Sequence, residues 1–191
     1  MSHALYHVDA FVVGVRDAGE ANRVISLFSR ELGLVKASAQ GVRELRSKLR
    51  YALALFSHSR VSLVRGREVW RVTGALSLEG PYSEMWRSEV MSRFFLLITR
   101  FVQGEESDPE LYEELLYLRD AVGSARESDA RELELLGVVR ILSHLGYGAT
   151  GSEVEYVCGA PVSSLELVRF VREHYAGLLA GVNAALSHSQ L

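Results

Sequence analysis

The chain has 191 residues, 48% hydrophobic and 24% charged, with 16 glycines and three prolines, a balance that fits one or two folded domains and excludes collagen-like or low-complexity chains. Its one cysteine, Cys158, excludes an internal disulfide framework and a zinc site built mainly from thiolates. The net charge of −3 hides an asymmetry: residues 1–80 hold 12 Lys+Arg against 7 Asp+Glu, a net +5, whereas residues 81–191 hold 9 against 17, a net −8.

The opening MSHALYHVDAFVVGV lacks a basic flank and has only a short apolar run, so it does not read as a signal peptide. No stretch approaches the ~20 apolar residues of a membrane helix. The expectation is a soluble, cytosolic protein. The first 80 residues read as five strands: Tyr6 to Val15, Arg23 to Ser29, Leu34 to Gln40, His58 to Val64 and Glu68 to Ala75. In the second, Val24, Ser26 and Phe28 alternate with Ile25 and Leu27; in the fifth, Val69, Arg71 and Thr73 alternate with Trp70 and Val72. Gly33 suits the turn before the third strand, and Arg65-Gly66-Arg67 a tight hairpin turn. Five short strands without a helical period between most of them suit a small closed or partly open barrel, with the OB-fold a leading option.

At Pro81 the period changes from two to near 3.6. The spacing predicts a helix over Tyr82 to Gln103 with Ser83 as N-cap, and a loop over 104–108. A second helix opens at Asp108-Pro109, with Leu111, Leu115, Leu118 and Val122 inward, and a loop follows over Gly123 to Ser128. A third helix runs from Asp129 to Leu145, 149–162 is irregular, and a last helix runs from Ser163 to about Leu186. The expected architecture is α+β: a five-stranded barrel domain over 1–80 and an all-α domain over 81–191.

The strongest local signal is GVRELRSKLR, residues 41–50, where Arg43, Arg46, Lys48 and Arg50 face one acid, Glu44. It falls between the third and fourth strands. Mobile cations beside a strand surface are what phosphate binding requires, although a solvated connecting helix has the same composition. Lys36, Arg60, Arg65, Arg67 and Arg71 can extend one cationic surface, and Phe56 and Trp70 are either base-stacking or core side chains. Of the 21 basic residues 19 are arginine, which suits phosphate, although a compositional bias in the gene gives the same preference. Enzyme motifs such as HExxH and GxSxG do not occur, and the six histidines lack metal-ligand spacing. His144 suits a helix C-terminus.

In combination these residues resemble the RecO family of DNA repair proteins. Asp9-Ala10 leads the first strand, and Gly19-Glu20-Ala21-Asn22-Arg23 precedes the second. Leu27 to Gly33 is similar to the family's strand and turn. Lys36 with Gln40-Gly41-Val42-Arg43 is similar to its basic strand end, Ser47 to its loop serine, and Leu53 to Phe56 to the segment entering the fourth strand. Glu110 to Leu116 and Leu142 to Gly148 are similar to its helical domain. The resemblance covers most of residues 5–160.

The resemblance implies an N-terminal OB-fold that binds single- and double-stranded DNA and anneals complementary strands. It also implies joint action with RecR in loading RecA onto DNA coated by single-strand-binding protein, whose acidic C-terminal tail meets the helical domain. Arg119, Arg140, Arg169 or Arg172 are the cations available for that tail. No catalytic residue and no cofactor are implied, and the expected place is the cytoplasm, at the nucleoid. The expected DNA contacts are Lys36, Arg43, Arg46, Lys48 and Arg50, with Arg65 and Arg67 as a second patch.

The sequence departs from the family pattern in three places. Gln40 stands where the family usually has a lysine. Glu155 and Cys158-Gly159 stand where some members begin a four-cysteine zinc site, so no zinc is expected. The chain is also short after Gly159. Two rival readings follow: an adaptor of the RecR pathway that has lost most DNA binding, and a nuclease with a dispersed acidic site.

Overall fold

The computed structural model describes residues 4–44, 47, 49–66, 70–162 and 165–188. The barrel strands are β1 (Leu5–Ala18), β2 (Asn22–Ser29), β3 (Gly33–Ala39), β4 (His58–Arg65) and β5 (Trp70–Glu79), with a one-turn helix α1 (Leu49–Ala52) between β3 and β4. The helices that follow are α2 (Met85–Phe101), α3 (Pro109–Ser124), α4 (Ala130–His144), α5 (Ser152–Gly159), α6 (Leu165–Glu173) and α7 (Tyr175–His188), with a short 3-10 turn at Glu127–Asp129. The chain divides into two compact units, Met1–Ser83 with Ile98–Tyr112, and Glu84–Leu97 with Glu113–Leu191. The strands give way to helices near Gly80-Pro81, and the unit around the barrel also takes in 98–112.

The strands close in the order β1-β2-β3-β5-β4 and back to β1. Every pair is antiparallel except β3 with β5, where Ala37 and Ser38 face Trp70 and Arg71 in parallel. This is the five-stranded OB-fold barrel. Its interior follows the two-residue alternation: Ile25 and Leu27, Val35 and Ala37, Val61 and Leu63, Trp70 and Val72 all point in. β1 serves both β4 and β2, and changes phase on the way. Val12 pairs with Leu27 but Gly14 with Ser26, so Val13 is an extra residue, a bulge. Ala10 and Val12 point in before it, and Val15 packs on the core after it. The corner before β4 is fixed at the same place: Phe56 N–H donates to the Val12 carbonyl and Val12 N–H to that of Ser57, both at 2.9 Å. Phe56 makes that corner at φ 70°, a conformation L-residues adopt only when their surroundings impose it.

The barrel unit has a second apolar layer outside the barrel. Phe11 and Phe28 face each other across β1 and β2, both fully buried, and Tyr112 of α3 covers them at ring distances of 5.5 and 6.2 Å. His58 stacks on Phe11 at 4.7 Å, and its Nε2 is 2.7 Å from the Tyr112 hydroxyl. The loop before α3 is held to the barrel too. Ser107 donates to the Arg30 carbonyl at 2.8 Å, and a Cβ on Gly33 would lie 2.0 Å from the Glu106 carbonyl oxygen. Gly33, at φ 63°, is required there twice over. Asp108 caps α3 as the sequence predicts, accepting the Leu111 N–H at 3.0 Å.

In the helical unit α4 is buried on nearly all sides and is the central helix. Gly137 lets the Phe94 ring of α2 approach so closely that a Cβ would lie 2.3 Å from it. Arg140 ties three segments together. It grips Glu114 with Nε and Nη2 at 2.5 and 2.8 Å, and its Nη1 donates to the Val157 and Ala160 carbonyls, both at 2.8 Å.

Several boundaries differ from the sequence reading. The expected irregular stretch 149–162 contains α5, a helix too short to show a clear period between Gly151 and Gly159, with only Val157 buried. The expected last helix is broken at His174 into α6 and α7. There the Phe170 carbonyl accepts the His174 N–H, and the His174 Nδ1 lies 2.9 Å from the same oxygen. α2 begins at Met85, so Glu84 rather than Ser83 flanks it, and it ends at Phe101 rather than Gln103. α3 runs on to Ser124, into the expected loop. Glu68, Val69 and Ser163, at the ends of expected elements, lie outside the described residues. Among the described residues, no helix is long and apolar enough to cross a membrane.

Candidate nucleic-acid interface

The outer face of β1, β2, β3 and β5 carries two adjacent rows fixed by strand register. One row is Arg16, Val24, Ser38 and Arg71; the other is Gly14, Ser26 and Lys36. At the ~4.8 Å spacing of strands, Arg16 and Arg71 stand about 14 Å apart, with Lys36 diagonal to both. Arg16, Lys36 and Arg71 are exposed, and none has an ion pair among the described residues. Between them the side chains are small, so the three cations rise from a low floor. Such a face can receive an extended polyanion along the sheet.

Of the residues expected to contact DNA, Lys36 lies on this face. Arg43 lies at the β1–β2 turn: its backbone N–H donates to the Ala21 carbonyl at 3.2 Å and its Nη1 to the Gly19 carbonyl at 2.8 Å, with Asp17 3.7 Å away. It braces that turn and keeps part of its guanidinium in solvent. Arg50 is exposed on α1, without an ion pair among the described residues. Arg65, at the end of β4, is paired with Glu105 at 2.5 Å and lies over the Trp70 ring at 5.0 Å. Arg46, Lys48 and Arg67 lie outside the described residues.

Two candidates for extending the surface are spent elsewhere. Arg60 forks onto Asp9 across β1 and β4, with bonds of 2.7 and 2.8 Å. The hydrogen-bonded guanidinium holds the Asp9 carboxyl below its ordinary value, since the pair favours the charged form. Trp70, at 2% exposure, is core, with Tyr6 edge-on to it at 5.1 Å, so it has no face to offer a base. Arg16 is the residue that sequence reasoning missed. Strict alternation from Ala10 and Val12 places it inside the barrel; the Val13 bulge turns it out. Charge was the available signal, because an arginine on an apolar strand phase is itself evidence for a bulge.

Among the described residues, no group of three or more His, Cys, Asp or Glu could hold a metal ion. Cys158 and Glu155 both lie on α5. The helical unit has a cavity of about 450 Å³ lined by Trp86, Val90, Leu135, Tyr175 and Leu179, with Arg131 over the Tyr175 ring at 3.8 Å. Arg131 was not among the four arginines considered from the sequence. Of those four, Arg119 is buried and Arg140 is fully engaged, Arg172 holds Asp129 and Glu132, and Arg169 pairs with Glu173 on its own helix.

Comparison with known proteins agrees with this architecture. A family model described as recombination protein O N terminal matches residues 1–80. The DNA repair protein RecO of Pelotomaculum thermopropionicum is 30% identical over 190 residues, covering 96% of this chain and 70% of that protein. The RecO protein of Dehalococcoides mccartyi strain 195 is 29% identical over 123 residues, 63% of this chain and 49% of its own. That of Desulfitobacterium hafniense strain DCB-2 is 26% identical over 144 residues, 75% and 52%. This chain therefore spans 70% of the first relative and about half of the other two. With its closed barrel, its helical unit and a match along nearly its whole length, the chain belongs to the RecO family.

Proposed function

We propose that this chain is a DNA repair and recombination mediator whose barrel binds single- and double-stranded DNA and anneals complementary strands. In the same reading it works with RecR to help load RecA onto DNA coated by single-strand-binding protein. The observation that carries the DNA-binding step is the outer sheet face, where Arg16, Lys36 and Arg71 stand unpaired among the described residues around Gly14, Ser26 and Ser38. Arg43, part of whose guanidinium stays in solvent, and the exposed Arg50 are further cations in the part of the chain with a net +5. Phosphate contacts of this kind are indifferent to sequence and to strandedness. Two strands neutralised on one surface repel each other less, which favours their pairing. No bond is made or broken. The cavity lined by Trp86, Val90, Leu135, Tyr175 and Leu179, where Arg131 stands with Glu89 and the Arg93-paired Glu134, supports a seat in the helical unit for the tail of single-strand-binding protein, an acidic segment that needs a cation and an apolar surface.

The test is fluorescence anisotropy of a labelled oligonucleotide across salt concentrations. About four contacts give a slope of log K against log salt near −2.8, at about −0.7 per phosphate. No binding at low salt would leave the adaptor reading, to be tested by association with RecR.

A further inference from the structure

Glu105 lies in the loop between α2 and α3, yet its carboxylate is bound by two donors of the barrel. Oε2 accepts from Arg65 Nη1 at 2.5 Å and Oε1 from Trp70 Nε1 at 3.0 Å. Each oxygen thus has its own donor. One donor is an exposed guanidinium at the end of β4. The other is an indole N–H fixed by a side chain that is 98% buried and cannot turn away, by its 2% exposure. The guanidinium lies over the indole ring, 5.0 Å from its centre, which holds the two donors in a common orientation. A phosphodiester presents two unsubstituted oxygens to such a pair much as a carboxylate does.

We infer that Arg65 and Trp70 form an oxyanion site for a DNA phosphate, and that Glu105 occupies it as an internal substitute which the DNA displaces. The inference rests on the DNA-binding reading of the barrel and adds a control to it. The site lies on the loop side of the β4–β5 hairpin, one of the loops by which OB-folds grip oligonucleotides. The Arg65 and Glu105 side chains remain 62% and 37% exposed, so their pairing is weak enough to be exchanged. The loop itself stays anchored by Ser107 on the Arg30 carbonyl when the carboxylate leaves. DNA binding through this site therefore competes with Glu105. Protein without DNA keeps one arginine covered and binds stray anions less.

The experiment compares the full chain with Glu105→Gln, Glu106→Gln, Arg65→Ala and the Arg65→Ala/Glu105→Gln pair, using a labelled oligothymidine. Glu106 is the control: it is the next residue, carries the same charge, and its side chain has no partner among the described residues. Glu105→Gln should bind about fivefold more tightly at low salt, the scale of one exposed ion pair. Its salt slope should stay close to that of the unaltered chain, since both make the same phosphate contacts once Glu105 is displaced, whereas Arg65→Ala should flatten the slope by about 0.7. Glu106→Gln should stay within about twofold, the residue of long-range charge. The gain should vanish in the Arg65→Ala background.

The indole resonance of Trp70, assigned with Trp86→Phe, should move both in Glu105→Gln and on adding DNA to the unaltered chain. Equal gains from Glu105→Gln and Glu106→Gln, a gain that survives Arg65→Ala, or an indole resonance that DNA leaves in place would each overturn the inference. If the unaltered chain binds and Glu105→Gln binds no better, only the displacement by DNA fails. If neither binds at low salt, the DNA-binding reading fails with it.

Discussion

Arginines do opposite work on the barrel's outer sheet and in the helical unit. On the barrel's outer sheet they stand in solvent with little to hold them: Arg16 and Arg71, like Lys36, have no ion pair among the described residues. In the helical unit they are ties. Arg140 makes four hydrogen bonds at 12% side-chain exposure, and Arg172 joins α6 to Asp129 and Glu132 at the start of α4. Both regions use the same side chain. The difference is the supply of acids around it, 7 in residues 1–80 and 17 in residues 81–191. A guanidinium among carboxylates is consumed in holding the fold, and one among serines and glycines stays available to an outside anion. Counting arginines therefore says little about binding until their partners are counted too.

Replacing the tied arginines of the helical unit should cost stability, and replacing those of the outer sheet should cost affinity. The largest effect is expected from Arg140→Ala. It leaves Glu114 buried without its partner and two carbonyls unbonded, which should lower unfolding free energy by about 3–5 kcal/mol. Thermal unfolding measures this directly. A small loss would mean that the helical unit does not depend on its ties.

Next, reversing Arg16, Lys36 and Arg71 together to glutamate should weaken oligonucleotide binding at least ~100-fold near 0.1 M salt, three contacts at about 0.7 in the exponent each. The melting temperature should stay close to that of the unaltered chain, because these side chains have no ion pair or side-chain hydrogen bond among the described residues. A large fall in stability would place them among the ties and erase the contrast.

Gly137→Ala sharpens the picture on the helical side. Its Cβ would meet the fully buried Phe94 ring at 2.3 Å, and the overpacking should cost about 1–3 kcal/mol without touching oligonucleotide affinity.

The smallest effect is expected at the barrel's own ion pair, Asp9 with Arg60. Hydrogen bonding to Arg60 lowers the Asp9 pKa from its ordinary 3.8. Its contribution is thus present above the unfolded value and is lost as pH falls through the lower folded value. Asp9→Asn should flatten the fall of melting temperature below about pH 4 and leave neutral pH nearly unchanged. A loss at pH 7 as large as that of Arg140→Ala would show that an exposed pair can be a tie as well.

Much of the barrel was legible because alternation is a local property. Ile25 with Leu27 and Val61 with Leu63 announce their inner face within a few residues. The Asp108 cap was legible for the same reason, since its partner is three residues away. What escaped depends on distant or exceptional contacts. Arg65 and Glu105 meet across 40 residues, and nothing near either one signals the other. Trp70 alternates like any strand aromatic, so its place in the core rather than under a base is decided by closure with β3. The break at His174 falls in a stretch whose apolar spacing continues across it, so no local pattern marks it. α5 has one buried side chain in eight residues, too little pattern to detect.

The bulge at Val13 acts on β1 as a frameshift acts on a message. Upstream, even-numbered residues from Val8 to Val12 read inward; downstream, Val15 does, and Arg16 reads outward. Straightening the bulge without losing a residue would leave every other strand's sequence intact and still turn a guanidinium toward the apolar interior while exposing a valine. Deleting Val13 itself would remove the extra residue and keep the barrel's sides, with Val15 inward and Arg16 outward. The surface that faces DNA in this proposal is thus set by the parity of a short count along one strand, and a single codon added between Gly14 and Arg16 would change it.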